Sequence, residues 1–517
     1  MTRFCALLPF VLLAQLLQPL VGFAASDTER PNILYIMSDD HAAHAIGAYG
    51  GRLSQLDPTP NIDRLAKEGV LLRNCFCTNS ICVPSRATIM TGQYSHTNGV
   101  KTLNYALEPA RQTLAHEMKK AGYETAIIGK WHLKAEPAAF DYYCVQDGQG
   151  SYFNPEFRYP GKKPWPQNTF TPRSYDDVHS SDIITDQSLK WLKRRQKQRT
   201  GKPFFLMHHF KAPHDNFANA ERYDWLHEGV EIPEPLSLWE RGNHGPLGRP
   251  QYGTSVSSRN SRRNMGHHMH VPADMPEPNY TRESYQRYLK KYLRCVKGVD
   301  DNIGRLLAYL EETGELDNTI IIYTADQGFM LGEHDYIDKR WAYDECLRMP
   351  FVIRYPKRFA AGTVNEEMIN NVDFAPTLLE LAGATEMPSG FEGRSFVANL
   401  EGNSPEDWPK ATYYRYWMNM THHDNPAHYA IRTKDHKLII FYGLALDSKG
   451  ALDEVIEPYW ELYDLKKDPQ EMNNVVADPA YAETLVQLKK QLDELKKQVG
   501  DTDQKYPELY EAIKKAG

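Results

Sequence analysis

Long apolar runs, excess positive charge and cysteine are all scarce in this chain of 517 residues. The only extended apolar stretch lies within the first 25 residues, and nothing later is long enough to cross a bilayer as a helix. Lys and Arg number 60 against 67 Asp and Glu, giving a formal net charge of −7 with no dominant basic block. That balance argues against nucleic acid as the main partner. Seven cysteines (Cys5, Cys75, Cys77, Cys82, Cys144, Cys295 and Cys346) are too few and too scattered to define a disulfide framework. No Cys or His pair follows Cys75 and Cys77 at finger spacing, so they do not read as a zinc site. No internal repeat is visible. What is present is a 41% share of hydrophobic residues, ample for one big domain plus a smaller one.

The apolar start reads as a secretory signal over Met1–Ala25. Arg3 supplies the positive beginning, Ala6 to Leu20 the apolar stretch, and Gly22-Phe23-Ala24-Ala25 a small-residue cleavage site. Gln15 and Gln18 interrupt the run, which disfavours a permanent anchor. The mature chain is therefore expected to be exported without a membrane span: periplasmic or secreted, or lysosomal in a eukaryote.

Short β-rich runs then alternate with helical patterns, the pattern of a mostly parallel sheet flanked by helices in an α/β fold. Strands are expected at Ile33 to Met37, Thr125 to Ile128, Phe204 to His208, Thr319 to Tyr323 and Phe351 to Arg354. Helices are expected at Asn61 to Glu68, Thr113 to Lys120, Ser284 to Glu311 and Pro376 to Leu381. After about Gly390 the character changes. Aromatic runs at Thr412 to Trp417, His428 to Arg432 and Lys437 to Tyr442 suggest antiparallel strands, and Ala482 to Val499 an amphipathic helix. The expected division is a catalytic domain over 26–390 and a C-terminal α+β subdomain over 391–517. Arg241 to His270 breaks the alternation: it has five arginines, four histidines and no acidic residue, and reads as a long irregular loop.

Four strands run straight into chemically capable residues: Asp39-Asp40, Lys130-Trp131-His132, His214 and Asp326-Gln327. In open α/β sheets the active crevice lies beyond the carboxyl ends of the strands. Asp39, Asp40 and Asp326 with the amide of Gln327 form a hard, all-oxygen set suited to Ca²⁺ or Mg²⁺. In Cys82-Val83-Pro84-Ser85-Arg86-Ala87, Pro84 presets a helix start, placing Cys82 just before a helix N-terminus, where an anion is favoured. Arg86 would follow one turn later. That arrangement suits a sulfate ester, and a phosphate ester nearly as well.

Cys82-x-Pro-Ser-Arg86, Gly129-Lys130-Trp131-His132, Lys211-Ala212-Pro213-His214 and the run ending in Lys339 occur in one order over roughly Pro31 to Tyr355. Together they closely resemble the type I, formylglycine-dependent sulfatases, which have an alkaline-phosphatase-like fold. The resemblance implies that a formylglycine-generating maturase oxidises Cys82 to an aldehyde, with one calcium held by Asp39, Asp40, Asp326, Gln327 and the modified residue 82. Gln327 departs from the Asn or His usual there. By the same resemblance the aldehyde hydrate attacks sulfur with Asp326 as its base. Arg86, Lys130 and Lys339 stabilise charge, His214 protonates the leaving oxygen, and His132 assists the collapse that expels sulfate. The closest likeness is to enzymes of glycosaminoglycan or 6-O-sulfated N-acetylglucosamine, so a sulfated carbohydrate is the expected partner. Arg259, Arg262 and Arg263 of the basic loop, with His422, His423 and Asp424, are candidate sugar contacts, because arginine pairs bidentately with sulfate and carboxylate. A phosphodiesterase or phosphonate hydrolase of the same superfamily, or a silent polysaccharide-binding homologue, are the alternative readings.

Overall fold

The computed structural model describes residues 1–2, 30–170, 177–240, 242–246, 248, 252–257 and 264–517. The stretch read as a secretory signal, beyond its first two positions, lies outside the described residues, as do Arg259, Arg262 and Arg263 of the basic loop. Among the described residues, no helix is long and apolar enough to cross a membrane.

A ten-stranded sheet carries the chemistry. Its order is Thr363–Asn370, Val70–Phe76, Phe351–Arg354, Thr319–Ala325, Asn32–Asp39, Phe204–Pro213, Glu124–Lys130, Tyr142–Gln146, Phe157–Arg158 and Thr169–Phe170. The run from Thr319–Ala325 to Tyr142–Gln146 is parallel throughout, so its carboxyl ends open on one side. Phe351–Arg354 is antiparallel to both of its neighbours. Helices on both faces explain the unbroken apolar runs. Ile33, Tyr35 and Met37 join one apolar cluster, while Leu34 and Ile36 join the other. This is the two-residue alternation of a strand buried on both sides. The long helix Asn279–Glu312 and helix Ser180–Gln198 pack over the second of these faces.

The expected elements are present with bounds displaced by a few residues at most, wider at Pro60–Glu68 and Phe374–Leu381 and one residue shorter at Leu114–Lys120. Past residue 390, strands Ala411–Tyr416, His428–Thr433, His436–Phe441 and Tyr459–Asp464 make an antiparallel sheet, against which helix Ala482–Gln498 packs through Leu488 and Leu492. That sheet meets the rest where Arg415 N–H donates to Thr78 O at 3.0 Å and Ser80 Oγ meets Tyr414 OH at 2.7 Å.

Candidate active site

The central strands deliver their terminal residues into one buried cluster. Asp39 ends its strand, and Asp40 turns the chain with a left-handed backbone (φ 65°). Asp40 N–H donates to Asp326 Oδ1 at 3.2 Å, and Asp326 N–H donates to Ser38 O at 3.2 Å, so the two strand ends are tied together. Gln327 donates its amide to Asp40 Oδ1. Asp39, Asp40, Asp326 and Gln327 are all fully buried.

Each carboxylate has a cation. Lys130 Nζ donates to Asp39 Oδ2, and also to Gln149 Oε1 at 2.6 Å. Lys339 Nζ lies 2.6 Å from Asp40 Oδ2, and Arg86 Nε 2.9 Å from Asp326 Oδ2. The pairing is incomplete. Asp39 Oδ1, Gln327 Oε1 and one Arg86 nitrogen are buried without a hydrogen bond. Against the cost of burial, Lys130 and its neighbours hold the Asp39 carboxyl well below the usual range. Burial, reinforced by the adjacent Asp39, pushes Asp326 up to about 8 despite Arg86. Burial lifts Asp40 to about 6, against Lys339. Each carboxyl has a cation, yet crowding them out of water raises two of the three and leaves acceptor oxygens unbonded. Free acceptor oxygens among buried carboxylates are the donor set a hard divalent cation takes, so these residues fit calcium. Asp39, Asp40 and His214 each offer a ligand atom within 4.8 Å of one another.

Cys82 is the first residue of helix Cys82–Thr91, capped by Ile81, rather than lying just before it. Ser85 N–H closes the first turn on Ile81 O at 3.0 Å. Pro84 therefore sits in the first turn, where its missing N–H costs nothing. Burial raises the Cys82 thiol above its ordinary value even though Lys130 and Lys339 oppose it, so as cysteine it is a protonated, weak nucleophile. It forms part of the lining of a cavity of about 570 Å³. The lining also includes Gln149 to Phe153, Lys211, His214, Lys339, Arg340, His422 and His423.

His214 Nδ1 meets Asp215 O at 2.7 Å, and its Nε2 lies 3.7 Å from Asp40 Oδ2. Burial, then Lys339, lowers its imidazole well below its ordinary value. His132, with a left-handed backbone (φ 58°), is lowered by burial and Lys130, and its buried Nδ1 has no hydrogen bond. His423 Nδ1 lies 2.8 Å from Thr254 Oγ1 and 3.1 Å from Asp338 Oδ2, while His422 is exposed at the cavity. Asp424 is outside the cavity lining, its carbonyl accepting from Gly253 N–H. Of the basic loop's histidines, His244 instead joins His334 and Tyr463, and His268 pairs with Asp215 at 2.9 Å.

Lys211, Asp338, Arg340 and Gln149 escaped the sequence reading. Lys211 and Asp338 stood inside quoted motifs and Arg340 beside one, but only burial marks them. Cys75, Cys77, Cys144, Cys295 and Cys346 are free and buried, in keeping with the lack of a disulfide framework.

With this geometry in place, comparison with known proteins is decisive. A family model described as Sulfatase matches residues 31–384. The chain belongs to the sulfatase family. A second model, N-sulphoglucosamine sulphohydrolase, C-terminal, matches residues 332–498. The N-acetylglucosamine-6-O-sulfatase of Bacteroides thetaiotaomicron is 39% identical over 92% of this chain and 88% of its own length. A structure of a protein in complex with its substrate D-glucosamine-2-N,6-O-disulfate aligns with TM-score 0.80 and 38% identity, over 92% of this chain and 99% of that one. A phosphonate monoester hydrolase from Silicibacter pomeroyi aligns with TM-score 0.69 at 23% identity, over 92% and 96%, and shares the fold. This sulfatase hydrolyses sulfate esters.

Proposed function

We propose that this sulfatase removes the 6-O-sulfate from glucosamine-type sugars of glycosaminoglycans, using a formylglycine made from Cys82 and one bound calcium ion. The observation that carries the reading is the position of Cys82 at a helix start, beside three carboxylates and three cations, opening on a polar cavity. The two similar proteins whose names print a 6-O-sulfated glucosamine support the sugar. A pocket of about 570 Å³ with polar walls suits a small, hydroxylated ligand.

Calcium would be held by Asp39, Asp40, Asp326 and Gln327, and it supplies positive charge to the sulfate oxygens. The hydrate of an aldehyde at position 82 would supply an oxygen nucleophile that a protonated thiol does not. The chain's own residues do the rest. Paired one to one, the three cations and three carboxylates cancel; any added cation leaves the centre positive and ready for a developing dianion. Lys130 and Lys339, the latter lining the cavity, are placed to neutralise sulfate oxygens. Asp215 O accepts a hydrogen bond from His214 Nδ1–H, so the proton for the leaving oxygen resides on Nε2 of the imidazolium. Negative charge arriving with the substrate favours that imidazolium. His132, with its unsatisfied nitrogen, is available to move a proton beside position 82. His422 and His423 contact the sugar at the rim. On this reading the formylglycine maturase is an obligatory partner, and Met1–Ala25 exports the enzyme.

The test is sulfate release from N-acetylglucosamine-6-sulfate and its 3-O-sulfated isomer, and phenol release from a phenyl phosphonate monoester, at equal enzyme. Strong preference for the 6-sulfate is expected. Faster turnover of the phosphonate, or indifference to sulfate position, would reject the reading.

A further inference from the structure

Among the described cations that line the reaction cavity, Lys211 stands apart. It sits near the end of strand Phe204–Pro213, is 95% buried by its 5% exposure, and lines the same cavity as His214. Lys339 is paired with Asp40, and Arg340 with Asp338. The Lys211 ammonium has no hydrogen bond and no carboxylate oxygen within ion-pairing distance among the described residues. Its ammonium rests only over the ring of Tyr152, at 5.0 Å from the centroid. An unpaired ammonium withdrawn from water is costly, several kcal/mol by general experience, and persists where something else repays it. Burial brings its titration down to about 8, which still leaves the group charged at neutral pH.

The placement narrows what the missing counter-charge is. Lys211 lies beyond ion-pairing distance of Asp39 and Asp40, whose charges it feels at longer range together with those of Lys130 and Lys339. It shares the cavity lining with Gln149 to Phe153 and Asp215, and with His214 of its own segment Lys211-Ala212-Pro213-His214, the proton donor to the departing alcohol in the proposed reading. Nothing acidic on the Lys339–Arg340 and His422–His423 lining is left over for it, because Asp338 is already shared by Lys339, Arg340 and His423.

We propose that Lys211 is a specificity residue that binds a second anionic substituent on the leaving sugar, distinct from the sulfate being cleaved. This rests on the sulfatase reading and deepens it: the preferred substrates are doubly anionic sugars. Arginine would keep the charge, and methionine would fill the space without it.

The test compares kcat/KM of wild type, Lys211→Met and Lys211→Arg on glucosamine-2-N,6-O-disulfate, N-acetylglucosamine-6-sulfate and 4-nitrophenyl sulfate, with thermal unfolding as a check on folding. Lys211→Met should lose about 10- to 100-fold on the disulfate, mainly in KM, as for loss of a hydrogen bond to a charged group. It should change by less than about threefold on the two singly charged substrates, and Lys211→Arg should recover most of the disulfate activity. Equal loss on all three substrates would overturn the proposal, since Lys211 would then serve the scissile sulfate. No loss on any would overturn it too. If the wild type cleaved 4-nitrophenyl sulfate but neither sugar, the sugar reading would fail and the proposal with it, a pattern distinct from the other two.

Discussion

Two buried guanidinium–carboxylate contacts in this molecule behave in opposite ways. In the C-terminal sheet, Arg415 grips both oxygens of Asp501 at 2.8 and 2.9 Å, and Tyr413 OH adds a third bond at 2.7 Å. Trp417 lies under the guanidinium at 3.6 Å. Burial alone would raise the acid, yet Arg415 and its neighbours bring Asp501 down to about 2. In the reaction centre, Arg86 holds one oxygen of Asp326, which nonetheless rises to about 8 because it is buried beside Asp39. The ingredients match; the crowding differs. The Asp501 carboxylate has both oxygens bonded, whereas the three acids sharing one pocket leave an acceptor oxygen without a hydrogen bond, as a metal ligand would be.

Breaking the centre should have the largest consequence. Cys82→Ala should cut sulfate release by roughly 10³-fold or more while circular dichroism and melting stay close to wild type. Full turnover would remove Cys82 from the chemistry. Calcium removal, or Asp39→Asn, should cost a comparable factor, on the order of 10³, with calcium restoring only the wild type. Undiminished rates after exhaustive chelation would show that the crowded acids need no metal.

The structural pair is predicted to matter for stability instead. Arg415→Met leaves Asp501 buried without its partner and should destabilise by about 3–5 kcal/mol at neutral pH, read from denaturant unfolding. Because the folded acid titrates near 2, below its unfolded value, its contribution is whole above about pH 4 and drains away as pH falls toward 2. The variant should lack that acid limb. A loss under 1 kcal/mol would make the pair incidental.

Asp326 has the reverse sign. Its folded titration lies above its unfolded one, so in the chelated protein its own contribution is whole below about pH 4 and is lost, on the order of several kcal/mol, as pH rises toward 8. Asp326→Asn should flatten that slope, and calcium should offset it in the wild type. A wild-type slope unchanged by the substitution would assign the effect elsewhere.

Much of this contrast was legible before the fold, and the limits are physical. Strands buried on both faces, such as Asn32–Asp39, announce themselves as apolar runs, and the residues after them mark the crevice. Thr363–Asn370 gave no such signal: as an edge strand it carries Asn365, Glu366 and Glu367 and is partly exposed. Val70–Phe76, with Arg73 and Asn74, and Tyr459–Asp464, with Glu461 and Asp464, were hidden by polar residues that find partners only in the folded chain. Nor does spacing reveal that Lys130 meets Asp39, or that Asp338 gathers Lys339, Arg340 and His423. Lys211 was visible as a letter beside Pro213 and His214, but its isolation from counter-charge is a property of the cavity.

The most direct test of the central claim is mass spectrometry of the peptide spanning Cys82, from protein produced alongside a formylglycine maturase, with sulfate release measured on the same preparations. The account predicts an aldehyde in place of the thiol, with activity rising in proportion to the aldehyde fraction. Full sulfate release from protein whose Cys82 remains entirely a thiol would contradict it.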